Sequence, residues 1–277
     1  MSSLAARLAA LGALDPDAVR WANAVRAAGS TVSAARLGLV SGLIVSLKQA
    51  RSGPGTDSAW TLTDDYGFPA AENTVQGLLS LKQLRLGTAV NSPTFTVDRG
   101  FTFDGATNYV DTGLIPNSHA VRASRPSNRL GVYNRTLTAG NGMDIGGSNG
   151  NPRLLQFRSR ASTNLAVYAA ATANVVAAVT QADNRGWMGG QRDGLVPSPC
   201  LFFRNGVQYD SQPSVSDGGS LPTFAIYLGC ANSAGTPASF RPGNLAAWAF
   251  GAPLSAAQAL AEYNAIQTYM TAIGAQV

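Results

Sequence analysis

Apolar residues recur with a helical period in the first fifty residues of the chain. Residues 17–28 carry apolar side chains at intervals of three and four, and residues 37–47 repeat those intervals. This spacing places the apolar side chains on one face of an α-helix. Asp15-Pro16 precedes the first segment, and proline is favoured at the first position of a helix. We therefore predict a helical hairpin that ends in the Gly- and Pro-containing residues 52–56.

The pattern changes after this hairpin. Residues 60–68 are aromatic and predict an extended segment, whereas residues 73–84 predict a short helix. From about residue 91 the apolar period becomes two, which is typical of strands. Residues 101–103 lead into Asp104-Gly105 and residues 109–113 follow, so we predict a hairpin here.

Short strand candidates then recur with turn residues between them. Asn205-Gly206 separates two of them, and both residues tolerate the positive φ of a two-residue hairpin turn. Ten such strands at this spacing favour a β-sandwich or jelly roll. The candidates are residues 129–134, 143–145, 153–159, 165–171, 175–179, 186–188, 201–204, 207–209, 224–229 and 245–250.

One amphipathic helix ends the pattern, with Ser255 and Gln258 placed for a capping box and Gly274 as the stop. The expected fold is mostly β: an antiparallel jelly-roll sandwich with a small helical N-terminal region and a C-terminal helix. We divide the chain into a helical anchor or assembly region over 1–90 and a jelly roll with its closing helix over 91–277.

Composition agrees with a folded β-rich protein. The 277 residues include 30 glycines and 14 prolines, 45% are hydrophobic, and only 13% are charged, about half the usual fraction. The net charge of +5 is spread along the chain rather than gathered with aromatics into a nucleic-acid-binding surface. We expect no nucleic-acid partner, although a diffuse positive surface favours acidic glycans. The densest basic stretches are Arg122, Arg125, Arg129 and Arg135, and Arg153, Arg158 and Arg160.

The cysteines and the apolar segments indicate the cellular compartment in which the protein is assembled. Cys200 and Cys230 each lie in an apolar strand candidate, so buried free thiols are expected, and pairing stays open. The beginning of the sequence has no secretory-signal pattern, and residues 37–47 are too short to span a bilayer. We expect no membrane insertion and assembly in a cytoplasm.

Two parts of the sequence resemble a known group of domains. FDGATNYVDTG at 103–113 looks like the opening hairpin of laminin-G-like, concanavalin-A-like domains. FAIYLG at 224–229 and LAAWAF at 245–250, followed by the final helix, resemble the end of such domains. The resemblance implies a concanavalin-A-like jelly roll.

A further resemblance concerns the setting. AENT at 71–74 and NSPTFTVDRG at 91–100 are similar to structural proteins of tailed bacteriophages and prophages, in which a short helical region precedes one jelly roll. The resemblance implies a virion component, for example of a tail or head fibre. Its partners would be other virion proteins and copies of itself, and it would assemble in the host cytoplasm.

Catalysis is not expected. The single histidine, His119, lies in a predicted surface loop without the Gly-x-Ser-x-Gly context of a Ser-His-Asp triad. Concanavalin-A-like domains include β-glucanases, which carry their two catalytic glutamates on one strand. The two glutamates of this sequence, Glu72 and Glu262, lie beside or on predicted helices instead. Asp64-Asp65 would point to opposite faces of a strand. A hydrolase of unrecognised type is the remote alternative.

Neither a metal nor a cofactor is expected. One histidine and two separated cysteines do not form a zinc site. Laminin-G-like domains often bind calcium through loop aspartates, but turn formation is the better interpretation of such residues in this chain. The glycine-rich residues 140–142 and 146–150 lack the strand and helix of a phosphate loop. The aspartates in question are Asp104, Asp111, Asp144 and Asp217.

A glycan-binding site is predicted around residue 187. Jelly rolls bind sugars by stacking them on exposed aromatics that are flanked by polar side chains. The competing interpretation is that Trp187, like Trp248, packs in the core. The first hypothesis is thus a virion protein that binds host cell-surface polysaccharide, and the second is an architectural subunit without a ligand. The predicted binding residues are Trp187, Asn184, Arg185, Gln191, Arg192 and Tyr133.

Overall fold

The structure is a computed structural model. It describes residues 14–138, 140–149, 154–163, 166–169, 174–194, 198–213 and 220–277. Three residues named above, Gly150, Arg153 and Asp217, lie outside these ranges, as do parts of the strand candidate at 165–171.

The helices begin where the sequence predicts. The Asp15 side chain accepts a hydrogen bond from the Asp17 backbone N–H, and Pro16 is the first helical residue. Ser255 and Gln258 form the predicted capping box. Among the described residues, no helix combines the length and the apolar character that a bilayer crossing requires. The helices are α1 (Pro16–Ala27), α2 (Ala34–Gln49), α3 (Ala59–Leu62), α4 (Thr74–Leu78), α5 (Pro116–His119) and α6 (Ala256–Ala272).

The strands form an antiparallel sandwich, as predicted. Asn205 and Gly206, with φ of 50° and 76°, make the predicted turn between two of them. The strands are β1 (Thr63–Gly67), β2 (Thr88–Val90), β3 (Thr94–Thr96), β4 (Gly100–Asp104), β5 (Tyr109–Asp111), β6 (Ser127–Asn134), β7 (Ile145–Ser148), β8 (Leu154–Arg158), β9 (Val167–Ala169), β10 (Val175–Val176), β11 (Gly186–Asp193), β12 (Cys200–Arg204), β13 (Val207–Gln212), β14 (Tyr227–Leu228), β15 (Ala231–Ser233), β16 (Thr236–Ala238) and β17 (Pro242–Gly251).

These strands lie in two sheets. The first sheet has the order β13-β12-β11-β6-β17-β4-β3, with β1 paired to β17. The second sheet has the order β10-β9-β8-β7-β14-β5-β2, with β15 paired to β7 and β16 paired to β15. Of the pairs in the described residues, β15 with β7 is parallel and the others are antiparallel.

The core between the sheets is built from alternate residues of facing strands. Val132 and Trp248 of the first sheet and Ile145 and Phe157 of the second belong to this core and are at most 4% exposed. The predicted core position of Trp248 is therefore confirmed. Cys200 and Cys230 are buried free thiols, as expected, and burial raises the pKa of Cys200 to about 11 and that of Cys230 to about 12.

A helical layer covers the other face of the first sheet. Trp21 of α1, Ile44 of α2 and Ile266 of α6 share one apolar cluster with Tyr133 of β6 and Trp187 of β11. The molecule therefore has three layers, namely helices, first sheet and second sheet. Both faces of the first sheet are buried at its central strands β6, β11 and β17.

Three sequence predictions differ from the structure around residues 59–91. The segment predicted as extended begins with a helical turn, α3, before β1. The helix predicted over 73–84 ends at Leu78. In the loop that follows, the Asp65 carboxylate accepts the backbone N–H groups of Lys82 and Gln83. β1 and β2 belong to the two sheets, so the sandwich begins before the predicted boundary at residue 91.

Candidate functional site

The aromatic residues predicted to stack on a sugar are buried. Trp187 is 4% exposed and Tyr133 is 0% exposed, and they are cross-strand partners under the helical layer. The indole N–H of Trp187 donates to Glu262 Oε2 at 3.2 Å, and the Tyr133 hydroxyl donates to Gln267 Oε1 at 2.9 Å. A sugar cannot reach either ring, so the expectation that they form an open stacking platform is wrong. The competing core interpretation of Trp187 is confirmed.

The polar residues predicted around Trp187 mostly serve the fold. Asn184 donates to Ser159 Oγ at 2.9 Å, and the Gln191 side chain bonds both the N–H and the C=O of Leu254. Arg192 is 0% exposed and donates to the Gly194 carbonyl at 3.1 Å. Arg185 is exposed and pairs with Asp183 at 2.9 Å. The structure therefore does not bring the six predicted residues together on an accessible surface.

A buried charged cluster lies beside Trp187, and no sequence pattern predicted it. Arg129 donates from one nitrogen to both carboxylate oxygens of Glu262 at 2.8 Å and from another to Thr63 Oγ1 at 2.6 Å. The Tyr66 hydroxyl donates to Glu262 Oε1 at 2.7 Å. Burial alone would lower the pKa of Arg129, but the Glu262 carboxylate holds it above the ordinary value. A cavity of about 20 Å³ beside the pair has room for a water molecule but not for a sugar.

An open groove of about 620 Å³ lies beside β1, and we call it the cationic groove. Its walls come from α3, the start of β1, the loop between α4 and β2, and α5 with the loop after it. Three of its lining side chains are lysine or arginine, and one is aspartate. The lining residues are Trp60, Thr61, Asp64, Lys82, Gln83, Arg85, Ser118, His119, Val121 and Arg122.

Asp64 fixes the floor of the cationic groove. Its carboxylate accepts the backbone N–H groups of Val121, Arg122 and Ala123 at 2.7 to 2.8 Å. The Gln83 side-chain amide donates to the carbonyls of Asp64 and His119 at 3.1 and 3.0 Å. These bonds join β1 to the walls, so the shape of the groove is built into the fold.

Lys82 and Trp60 form one side of the cationic groove. The Lys82 ammonium donates to the carbonyls of Trp60, Thr61 and Thr63 at the end of α3, and burial lowers its pKa. It also lies 5.6 Å from the centre of the Trp60 ring, and Tyr66 stacks on that ring at 5.9 Å. Trp60 is 7% exposed, so its ring supports the groove wall rather than offering a free face.

Arg85, His119 and Arg122 form the accessible rim. Arg85 Nε donates to Gln83 Oε1 at 2.9 Å, and its terminal amino groups bond no other described residue. His119 Nδ1 accepts the Ile115 backbone N–H at 2.9 Å, and burial and the charge of Arg85 lower the pKa of His119. The Arg122 side chain is 43% exposed and lies 3.6 Å from Asp57. His119 thus lies on a one-turn helix rather than in the predicted loop.

Asp65 lies beneath the wall that carries Arg85. Its carboxylate accepts the backbone N–H of Tyr66 at 2.9 Å and those of Lys82 and Gln83 at 3.2 Å. Burial raises the pKa of Asp65 to about 6, although the Ser80 side chain and these three N–H groups favour the charged form. The wall of the groove is therefore held by a carboxyl group that is costly to ionise.

The aspartates considered as calcium ligands have structural partners. Asp104 accepts the backbone N–H groups of Ala106 and Thr107, so its expected role in a turn is confirmed. Asp111 accepts the Gly113 backbone N–H at 2.8 Å, and Asp144 forms a buried ion pair with Arg241 at 2.6 Å. Within the described ranges, no three His, Cys, Asp or Glu side chains are grouped as metal ligands would be.

Comparison with protein-family models gives no match, and comparison with curated proteins gives none either. Solved structures do match. The Trypanosoma rangeli sialidase in complex with 2,3-difluorosialic acid is 12% identical, with a TM-score of 0.51 over 84% of this chain and 40% of that chain. The receptor-binding domain of botulinum neurotoxin C/D mosaic serotype is 9% identical, with a TM-score of 0.50 over 73% and 51%. These likenesses concern the fold.

A third match is domain 4 of AbnA, an extracellular arabinanase of Geobacillus stearothermophilus, in complex with arabinotriose. It is 12% identical, with a TM-score of 0.43 over 72% of this chain and 99% of that domain. The chain covers less than two thirds of the length of the other two, namely 40% of the sialidase and 51% of the neurotoxin domain.

Proposed function

We propose that this chain is a structural protein of a bacteriophage virion and that its jelly roll binds a host-surface glycan in the cationic groove. The virion setting rests on the sequence resemblance at 71–74 and 91–100. The binding role rests on one observation, namely an open groove of about 620 Å³ whose rim keeps donor groups of Arg85 and Arg122 available. Concave sites with a few convergent polar groups are where proteins bind small ligands.

The structural neighbours support a recognition role in a general way. The botulinum neurotoxin match is a receptor-binding domain, and the sialidase match was solved with a sialic-acid derivative. A fold by itself does not determine a function, so the proposed binding role rests on the groove. Sugar hydroxyls need hydrogen-bond donors and acceptors, and Ser118, His119 and the two arginines of the rim supply them.

Binding rather than catalysis is part of the proposal. Glycoside hydrolysis uses two carboxyl groups on either side of the bond that is cleaved. Glu262 is buried against Arg129, and Glu72 accepts hydrogen bonds from the Ser33 hydroxyl and the Gln76 amide. Asp64 is the carboxyl group that lines the cationic groove, and its oxygens are bonded to three backbone N–H groups.

The test is binding of the purified protein to a panel of bacterial surface polysaccharides, with two variants of equal charge change. Arg85→Gln alters the groove rim, whereas Arg185→Gln alters an exposed arginine of the Asp183 ion pair outside the groove. We expect saturable binding of at least one polysaccharide that is weakened by Arg85→Gln and retained by Arg185→Gln. Equal effects of the two variants, or no binding by the folded protein, would contradict the binding role.

A second candidate, an architectural subunit without a ligand, is favoured by a different surface. A groove of about 180 Å³ runs between α2 and α6, and small residues line much of it. Helices pack closely where side chains are small, so a helix of a neighbouring subunit could lie here. The lining residues are Gly38, Leu39, Gly42, Leu43, Ser46, Ala265, Thr268, Tyr269 and Ala272.

Light scattering tests this candidate. A Cβ atom at Gly42 would have no heavy atom within 4 Å, so Gly42→Leu fills the groove without a clash at the Cβ position. If the α2–α6 groove joins subunits, the protein is an oligomer at high concentration and Gly42→Leu reduces its mass. A monodisperse monomer at high concentration would contradict self-assembly.

A further inference from the structure

We infer that the ligand of the cationic groove is an anionic saccharide, with Arg85 and Arg122 as the residues that recognise its carboxylate. The inference rests on the proposed glycan-binding function and specifies the class of glycan. Three observations support it. The groove exposes no aromatic ring, its lining side chains are mainly cationic, and its rim carries arginine donor groups that a ligand can reach.

The groove offers no aromatic surface for stacking. Neutral sugars commonly gain affinity by packing their apolar faces on exposed aromatic rings, and Trp60 is the aromatic residue that lines this groove. Its ring is stacked on Tyr66 and approached by two ammonium groups, those of Lys48 at 5.7 Å and Lys82 at 5.6 Å from the ring centre. Recognition must therefore come mainly from polar and charged groups.

The charges of the lining residues are unequal. Lys82, Arg85 and Arg122 contribute three positive charges, and Asp64 contributes one negative charge. The negative charge is already balanced locally, because three backbone N–H groups converge on the Asp64 carboxylate. The ammonium of Lys82 is likewise occupied by three carbonyl oxygens. The remaining charges at the rim are those of Arg85, Arg122 and the Asp57 carboxylate, which lies 3.6 Å from Arg122.

The two rim arginines each have donor groups that a ligand carboxylate can reach. Arg85 uses only Nε within the described residues, so its two terminal amino groups remain as donors. The Arg122 pair with Asp57 is 3.6 Å long with both side chains about half exposed, and such surface pairs contribute little. A guanidinium group matches a carboxylate in shape and can donate two parallel hydrogen bonds to it. A ligand carboxylate can thus displace Asp57 from Arg122.

Calorimetry with matched polymers tests the inference. The probes are polygalacturonate and polysialate, which carry a carboxylate on each sugar, and their methyl-esterified forms, which carry none. We expect the acid forms to bind and the esters to bind at least about tenfold more weakly, because the charged hydrogen bonds are lost. Arg85→Gln and Arg122→Gln should each weaken binding about tenfold, and Arg185→Gln should leave it unchanged.

The outcomes separate the inference from the proposed function. Esters that bind as tightly as the acids, with binding still lost in Arg85→Gln, would overturn the anionic class and retain a glycan-binding groove. No binding of any polymer in this series or of the wider polysaccharide panel would overturn both. A duplex DNA oligonucleotide serves as the third arm, because any cationic surface attracts DNA. Binding of DNA without binding of the acid polymers would overturn the inference.

Discussion

At the scale of single residues, Glu262 joins distant parts of the chain. Its carboxylate accepts hydrogen bonds from Tyr66 of β1, Arg129 of β6 and Trp187 of β11, and it is 1% exposed. Removing one partner of a buried ion pair leaves the other charge without compensation. The energy of this contact therefore depends on Arg129 and Glu262 being present together.

Glu262→Gln should lower the free energy of unfolding by about 3 kcal/mol, because Arg129 would remain buried without its counter-ion. Urea denaturation measures this change. Glu72→Gln is the matched control, since Glu72 is only partly buried and bonds to Ser33 and Gln76, and it should cost less than about 1 kcal/mol. Equal decreases in the free energy of unfolding for the two variants would show that the buried Arg129–Glu262 pair contributes no more than the partly buried contacts of Glu72.

Asp65 should make stability depend on pH. Its pKa rises from 3.8 to about 6 in the folded protein, so between these values the folded state binds more protons than the unfolded chain. The free energy of unfolding then falls as the pH rises through this window, by about 3 kcal/mol in total from this group. Denaturation curves at pH 4 to 7 should show this fall relative to Asp65→Asn. Parallel pH profiles of the two proteins would contradict it.

Single residues were also where sequence analysis was least informative about the site. The alternation around Trp187 identified a strand correctly, but a period of two does not reveal which face another layer covers. Glu262 had no visible partner because Arg129 is 133 residues away along the chain. The groove residues Arg85 and Arg122 come from separate loops, and only the fold brings them together.

At the scale of elements, β6 and β11 meet closely under the helical layer. Gly131 of β6 leaves room for the Trp187 ring, since a Cβ atom at Gly131 would lie 2.6 Å from Trp187 Cζ2. Gly131→Ala should therefore lower the free energy of unfolding by about 1–3 kcal/mol through overpacking.

Gly42→Ala in α2 is the control, because its Cβ would contact nothing and alanine favours helix by about 0.5–1 kcal/mol. The midpoint temperature of thermal unfolding should fall for Gly131→Ala and rise for Gly42→Ala. If Gly131→Ala left the free energy of unfolding unchanged, the Trp187 ring would have to move aside without an energetic cost.

Elements with strong local signals could be predicted, and those that depend on distant partners could not. The capped starts of α1 and α6 and the Asn205-Gly206 turn are specified by neighbouring residues, and all three were correct. β1 lies inside the segment predicted as extended, but Thr63-Asp-Asp-Tyr-Gly67 has no apolar alternation, so its place in the first sheet beside β17 could not be predicted. The loop after α4 was predicted as helix, and its Lys82 and Gln83 are bonded to Asp65 of another element.

At the scale of the whole molecule, the helical layer and the sandwich share one core. Trp21 and Ile44 pack in the same cluster as Trp187 of the first sheet. Deletion of residues 1–50 should therefore expose this face, abolish a cooperative thermal transition and give strong binding of a hydrophobic dye. A deletion variant that keeps a sharp transition would show that the sandwich folds alone, as a two-domain division requires. The full chain under the same conditions is the control.

The pairing of β1 with β17 has a consequence for the time at which the chain can fold. Tyr66 pairs with Ala249, and Arg36 bonds to Tyr269. These early segments therefore cannot form their native contacts until residues more than 180 positions further along the chain have left the ribosome. Such distant contacts close slowly because much chain entropy must be lost before they form. Until then, the apolar faces of α1 and α2 remain open to neighbouring nascent chains. Synthesis of this chain on the ribosome would therefore favour chaperone binding to the N-terminal segment before the last helix emerges.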